Sequence, residues 1–217
     1  MMTIAGLYAL TPDNIGDTDL LCAMCEEVLA AGIGLLQYRD SAVGEAEKLH
    51  RAYRLRDLCR QADALFIVNN APMLAQKVDA NGVHLGQKDG DISTARHLLG
   101  ENAVIGVSCH NDIKLAEAAV AAGADYCALG AVFPSSTKPA TIRCPLALLR
   151  EVKQKTSLPV IAIGGITPEN IGLVVAAGAD AAAAVAGLFN VPDRKTAALK
   201  MQNAFHTPAP IGRERCH

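Results

Sequence analysis

The residues able to do chemistry in this 217-residue chain stand directly after short apolar runs. Gln37, Arg39 and Asp40 follow one run, Asn69 and Asn70 a second, Gln87, Lys88 and Asp89 a third, and Ser108-Cys109-His110 a fourth. A fifth opens into Pro134-Ser135-Ser136-Thr137-Lys138-Pro139, and a sixth into Ile163-Gly164-Gly165-Ile166-Thr167-Pro168-Glu169. A guanidinium at the end of a buried run, as at Arg39, needs an anionic partner and can grip phosphate with two parallel hydrogen bonds. Three hydroxyls beside Lys138 read as a second anion site. Gly164 and Gly165 bare backbone N–H groups, with Thr167 as a helix cap and Pro168 in the first helical position, so the helix dipole assists phosphate binding there. The stretch Val185-Ala186-Gly187-Leu188 offers more such groups. Asp89 reads equally well as a Mg²⁺ ligand, working with substrate phosphates and water, or as a plain helix cap. His84, inside Val83-His84-Leu85, has no readable partner and is taken as a hydrogen-bonded strand residue, not as an acid or base. Ser108 and His110, two residues apart, are no evidence for a hydrolase, because triads are made in space.

Elements that would bring these groups together are legible from a repeated phrase. A helical stretch ends in small residues and Gly, and a β-branched or apolar run follows: Ala31-Gly32 before Ile33 to Tyr38, Asp79-Ala80-Asn81-Gly82 before Val83 to Leu85, Ala122-Gly123-Ala124-Asp125 before Tyr126 to Gly130, and Ala177-Gly178-Ala179-Asp180 before Ala181 to Val185. Gly supplies the left-handed residue that ends a helix, and the run after it is a strand buried on both faces. Ile4 to Leu10, Leu65 to Val68, Val104 to Val107 and Val160 to Ile163 complete eight strands. Amphipathic stretches such as Glu45 to Arg60, Asp112 to Ala122 and Leu146 to Thr156 lie between them. Eight units in 217 residues is about 27 each, close to the ~250 residues of a complete (β/α)8 TIM barrel. An open doubly wound sheet fits less well, because Leu10-Thr11-Pro12-Asp13 carries no glycine-rich fingerprint. One α/β barrel domain over residues 1–206 is expected, with 207–217 as a trailing C-terminal tail. In a barrel, every polar strand end named above converges on one face.

Composition narrows the partners. Hydrophobic residues make up 51% of the chain but aromatics only 4%, with no Trp, so stacking on nucleic-acid bases is not the primary function. A net charge of -2, from 20 basic and 22 acidic residues, leaves no footprint for nucleic acid or anionic membrane. The longest apolar stretch, Val174 to Val185, is interrupted by Asp180, and no spanning helix or signal peptide is read. Seven cysteines at irregular spacing point to a reducing, cytoplasmic interior, with Cys22 and Cys25 as ordinary buried thiols. The partners expected are small phosphorylated molecules, and a homo-oligomer is compatible with all of this.

Gln37-Tyr38-Arg39-Asp40, Asn69-Asn70, Gly82 to Asp89, Gly106-Val107-Ser108, Phe133 to Pro139 and Ile163-Gly164-Gly165-Ile166, in that order, resemble the thiamine phosphate synthase family, as does the opening Gly6-Leu7-Tyr8-Ala9-Leu10-Thr11. The resemblance implies a transferase of thiamine biosynthesis that condenses 4-amino-2-methyl-5-hydroxymethylpyrimidine diphosphate with a thiazole phosphate by a dissociative substitution. It implies that Gln37, Tyr38, Arg39, Asp40, Ser41, Asn69, Ser108 and Lys138 bind the pyrimidine diphosphate, with Arg39, Ser108 and Lys138 as the catalytic residues. Ser135, Ser136, Thr137, Gly165, Val185 and Ala186 would bind the thiazole phosphate, and Asn70 and Asp89 would hold Mg²⁺. Three positions depart from the family pattern: Asn70 where Asp is usual, Ser41 where Lys is usual, and Ala186 in place of a common Ser. A thiazole phosphate tautomerase-like enzyme and a non-catalytic thiamine-precursor binding protein are the alternative readings.

Overall fold

Strand and helix alternate along the described residues, with two helices following the last strand. The structure, a computed structural model, describes residues 4–134 and 142–206. β1 (Gly6–Leu10), α1 (Thr18–Leu29), β2 (Leu35–Tyr38), α2 (Glu45–Gln61), β3 (Leu65–Asn69), α3 (Pro72–Lys77), β4 (Gly82–Leu85) and α4 (Ile92–Leu99) form the first half. β5 (Val104–His110), α5 (Ile113–Ala121), β6 (Tyr126–Gly130), α6 (Leu146–Lys155), β7 (Val160–Ile163), α7 (Ile171–Ala176), β8 (Ala181–Ala184), α8 (Ala186–Phe189) and α9 (Arg194–Asn203) form the second. The strands are parallel and close in sequence order, β8 returning to pair with β1, which is the (β/α)8 barrel expected from the sequence.

The repeated phrase has a physical basis that goes beyond helix termination. Gly123 and Gly178 do adopt φ of 81° and 89° after α5 and α7. The Asp that follows each one then ties two strand starts together. Asp125 Oδ2 accepts a hydrogen bond from the Ile105 backbone N–H at 2.7 Å while its own N–H donates to the Ile105 carbonyl at 2.8 Å. Asp180 repeats this on Val160, and Asn81 repeats it on Phe66. Arg96 and Lys153 neutralise the two carboxylates. In the Asp79 to Gly82 copy the left-handed residue is Asp79, at φ 53°, and not Gly82. Gly82 serves a different need, since a Cβ there would lie 1.9 Å from the Val104 carbonyl oxygen. Strand β5 also extends past Val107 to His110, through a register shift between Ser108 and His110.

Two apolar layers follow from the strand alternation. Tyr8, Leu10, Leu35, Leu65, Ile67, Tyr126, Ala128, Ile161, Ala181 and Ala183 point inward and fill the barrel. Residues of the opposite parity, such as Leu36, Tyr38, Phe66, Val83 and Leu129, pack against the helices. Cys22 and Cys25 lie in that outer layer as free buried thiols. Among the described residues no helix is long and apolar enough to cross a membrane. Residues 207–217, read from the sequence as a tail, lie outside the described residues.

Candidate functional site

Two cavities open at the C-terminal ends of the strands and share a wall. The larger, about 470 Å³, is lined by Gln37, Asn69, Asn70, His84, Gln87, Lys88 and Asp89. The smaller, about 300 Å³, is lined by Gly130, Ala131, Pro134, the 163–167 loop and Ala184 to Gly187. Arg39, Ser108, His110, Ile163 and Ala183 line both.

Arg39 is held at the mouth by its backbone and by an acid. Its N–H donates to Thr11 Oγ1 at 2.9 Å, and the buried Thr11 hydroxyl donates back to the Arg39 carbonyl at 2.8 Å. One guanidinium nitrogen meets Asp13 Oδ2 at 2.7 Å, which leaves other N–H groups of the fork for a ligand. Tyr38 and Asp40 differ from their expected placement in the pyrimidine diphosphate site. Strand alternation turns Tyr38 outward, and its buried hydroxyl has no hydrogen-bond partner among the described residues. The Asp40 carboxylate is buried against Arg51 of α2 at 2.8 Å, and neither cavity includes it or the exposed Ser41.

At the larger cavity, Asn70 takes a left-handed φ of 56°, a conformation that Asn tolerates. Asp89 is not a helix cap: Asp91 caps α4 by accepting from Thr94 N–H at 2.7 Å. Asp89 Oδ2 instead accepts from Gly86 N–H at 3.1 Å, and a Cβ on Gly86 would lie 2.4 Å from that oxygen. At the smaller cavity, Gly164 and Gly165 have φ of 102° and 65°, and a Cβ on Gly165 would meet the Pro134 carbonyl oxygen at 2.2 Å. Helix α7 begins at Ile171, later than Thr167 and Pro168 suggested, because residues 167–170 form a separate turn. Asn170 fastens that turn, accepting from Thr167 N–H at 2.8 Å and donating to the Gly165 carbonyl at 2.9 Å. Val185 and Ala186 stand at the start of α8, where N–H groups lack intrahelical acceptors. Ser135, Ser136, Thr137 and Lys138 lie outside the described residues.

Sequence reasoning missed the polar group below the site. His84 has two partners, Tyr126 Oη at 3.0 Å and Ser108 Oγ at 2.9 Å, and burial pushes its pKa down to about 4. Tyr126 Oη lies 3.0 Å from Tyr8 Oη, which accepts from Gln37 Nε2 at 2.9 Å. The available signal was parity, since Tyr8, Gln37, His84, Ser108 and Tyr126 all occupy inward strand positions. His84 has a consequence for stability. An unfolded His titrates near 6.5, so as pH falls the unfolded chain takes up a proton that the native chain refuses until about pH 4. Stability should therefore drop by about 2–3 kcal/mol between pH 7.5 and 4.5 from this group alone. Urea denaturation of the wild type and of His84→Gln at both pH values checks this. Equal pH slopes in the two proteins would refute it.

The family model described as thiamine monophosphate synthase matches residues 7–188. The thiamine-phosphate synthase of Thioalkalivibrio sulfidiphilus is 48% identical over 202 residues, covering 93% of this chain and 96% of the relative. That of Chromobacterium violaceum is also 48% identical, covering 93% and 97%. Among solved structures, thiamine phosphate pyrophosphorylase from Pyrococcus furiosus superposes with a TM-score of 0.81 at 31% identity, covering 93% of this chain and 96% of that one. A 3-hexulose-6-phosphate synthase, at 18% identity and a TM-score of 0.68, shares the fold alone. With the matched segment running from β1 to α8 and full-length relatives near half identity, this chain belongs to the thiamine monophosphate synthase family, whose members are transferases.

Proposed function

We propose that this enzyme transfers the pyrimidinylmethyl group of 4-amino-2-methyl-5-hydroxymethylpyrimidine diphosphate to the nitrogen of 4-methyl-5-(2-phosphoethyl)thiazole, giving thiamine phosphate and pyrophosphate. The observation that carries this reading is the wall shared by the two cavities, where Arg39 and Ser108 face both compartments. The larger cavity takes the pyrimidine diphosphate, through Gln37, Arg39, Asn69 and Ser108. The smaller takes the thiazole phosphate, through Gly165 and the N–H groups at Val185 and Ala186. Ser135, Ser136, Thr137 and Lys138, outside the described residues, join these sets on the strength of the family resemblance.

In this reading the bond from the pyrimidine methylene carbon to the diphosphate oxygen breaks, and its electron pair leaves with pyrophosphate. The thiazole nitrogen lone pair then forms the new C–N bond to the pyrimidinylmethyl cation. No proton has to be abstracted, so the site needs charge stabilisation more than a general base. Arg39 supplies it from a position fixed by Thr11 and Asp13, with no reorganisation as charge grows.

The residues present fit a Mg²⁺ ion. Asp89 offers one carboxylate and Asn70 an amide oxygen on the same cavity, and Gly86 leaves space against the Asp89 oxygen that a Cβ would fill. Mg²⁺ commonly takes one or two carboxylates plus substrate phosphates and water. Among the described residues no cluster of three His, Cys, Asp or Glu forms a cage of its own, so the diphosphate would complete the site. When bound, the ion supplies positive charge to the leaving diphosphate. Asn70→Asp restores an anionic ligand at a position whose positive φ Asp also tolerates. It should lower the Mg²⁺ concentration for half-maximal activity by roughly tenfold, equivalent to about 1.4 kcal/mol. An unmoved Mg²⁺ titration would take position 70 away from the metal.

Purified protein incubated with both substrates and Mg²⁺, with thiamine phosphate and pyrophosphate quantified, tests the function. Absence of both products, in conditions where a functional relative forms them, would overturn it. Tautomerisation of a thiazole phosphate without coupling would replace it.

A further inference from the structure

The Gln37 amide sets the direction of the hydrogen-bond chain beneath the cavities. Gln37 donates its amide N–H to Tyr8 Oη at 2.9 Å, so the Tyr8 proton needs another acceptor. Tyr8 is buried, and the oxygen in reach is Tyr126 Oη at 3.0 Å. Once Tyr126 accepts from Tyr8, its own proton goes to His84 Nδ1 at 3.0 Å. A neutral imidazole that accepts at Nδ1 carries its proton on Nε2 and donates from there. The recipient is Ser108 Oγ at 2.9 Å. Ser108 then accepts from below, and its hydroxyl proton is left for the cavities it lines. With the Gln37 amide nitrogen on Tyr8, reversing the chain would leave the Tyr8 proton without an acceptor among the described residues, the costly outcome for a buried donor.

The fold makes room for this arrangement. Gly106 stands opposite Tyr126 on β5, where a Cβ would lie 1.9 Å from Tyr126 Cζ. The Tyr8 and Tyr126 rings meet edge to face, 6.1 Å between centroids, and the His84 ring lies within 21° of the Tyr126 plane.

We propose that Tyr126 is a positioning residue for the coupling reaction, acting through His84 to fix the tautomer that points the Ser108 O–H into the cavity. The donor then meets the diphosphate oxygens on which negative charge grows as the C–O bond breaks, where a pre-aimed hydrogen bond lowers the barrier more than it tightens ground-state binding. This rests on the reading of Ser108 as a substrate contact given above.

The test combines spectroscopy and kinetics. Histidine ¹⁵N shifts of the substrate-free wild type should identify His84 as the Nε2–H tautomer. Tyr126→Phe should convert it to a mixture or to Nδ1–H, while Tyr8→Phe, which leaves the Tyr126 proton in place, should not. In steady-state coupling, Tyr126→Phe should reduce kcat about tenfold with KM for the pyrimidine diphosphate within about twofold. In a Ser108→Ala background the same substitution should change kcat little, because the two residues act as one unit. A wild-type Nδ1–H tautomer overturns the proposal. So does an equal loss from Tyr126→Phe with and without Ser108, the signature of a merely structural role. If Ser108→Ala slows coupling and Tyr126→Phe does not, the relay falls and the site assignment stands. If neither slows it, both fall.

Discussion

Arg39→Ala is expected to lower the rate of thiamine phosphate formation by about a hundred- to a thousand-fold, the loss seen when one preorganised donor is removed from a developing negative charge. The expectation comes from position. The Arg39 backbone is locked to Thr11 at both its N–H and its carbonyl, and the guanidinium faces the wall common to both cavities. Removing it also frees Asp13, whose carboxylate sits 2.7 Å from the guanidinium and would then repel an incoming diphosphate. Part of the loss is therefore repulsion and not missing attraction. Arg39→Ala combined with Asp13→Asn should recover roughly three- to tenfold relative to Arg39→Ala alone, which a double-mutant cycle measures directly. Arg39→Lys keeps the charge but not the planar fork and should fall between wild type and Ala. Initial rates at saturating Mg²⁺ decide the matter. A rate for Arg39→Ala within threefold of wild type would remove Arg39 from the catalytic group.

The barrel was readable because its evidence is repeated. Four of the eight units end a helix, cross small residues and enter a buried strand, so an error at one unit is corrected by the others. What the repeat did not reveal was its second use, the Asp125 and Asp180 clamps on neighbouring strand starts, since a side chain's partner across a sheet is a long-range fact. Gly82 was misread for the same reason: its need is the approach of Val104, and nothing local to residues 79–82 reports that. The helix start after Gly165 was placed too early because Thr167-Pro168 carries a local N-terminal signal, yet Asn170 captures Thr167 N–H and closes a separate turn first.

The candidate site was legible to the extent that it sits at strand ends, and less so where facing matters. Arg39 and Asp40 are adjacent in sequence, both polar and both at the mouth of β2, but one turns to the cavities and the other to α2. Tyr8 and Tyr126 were invisible as a pair because 118 residues separate them and neither lies at the C-terminal end of its strand. A stricter use of parity would have placed both inside the barrel, where each hydroxyl must find a partner.

Asp40 and Arg51 provide the sharpest separation of folding from binding. Their side chains are 2% and 1% exposed and 2.8 Å apart. Arg51 also donates to Thr18 Oγ1 at 2.9 Å, Glu47 Oε1 at 3.2 Å and the Gly16 carbonyl at 3.1 Å, so it ties α1 and the loop before it to α2 and the end of β2. Arg51→Met would leave Asp40 as a buried charge whose remaining hydrogen bond, among the described residues, is from Ala42 N–H at 3.0 Å. Breaking a buried pair from one side typically costs about 3–5 kcal/mol, which at about 2–4 °C per kcal/mol for a chain of this size lowers Tm by about 10 °C. Asp40→Asn should cost less, because Arg51 retains its other acceptors. Arg51→Met with Asp40→Leu should regain much of the loss, since no charge is then stranded. Folded Asp40→Asn, assayed well below its Tm, should keep a KM for the pyrimidine diphosphate close to wild type, in contrast to Arg39→Ala. A KM raised tenfold or more at unchanged stability would instead put the Asp40 carboxylate back among the groups that bind substrate.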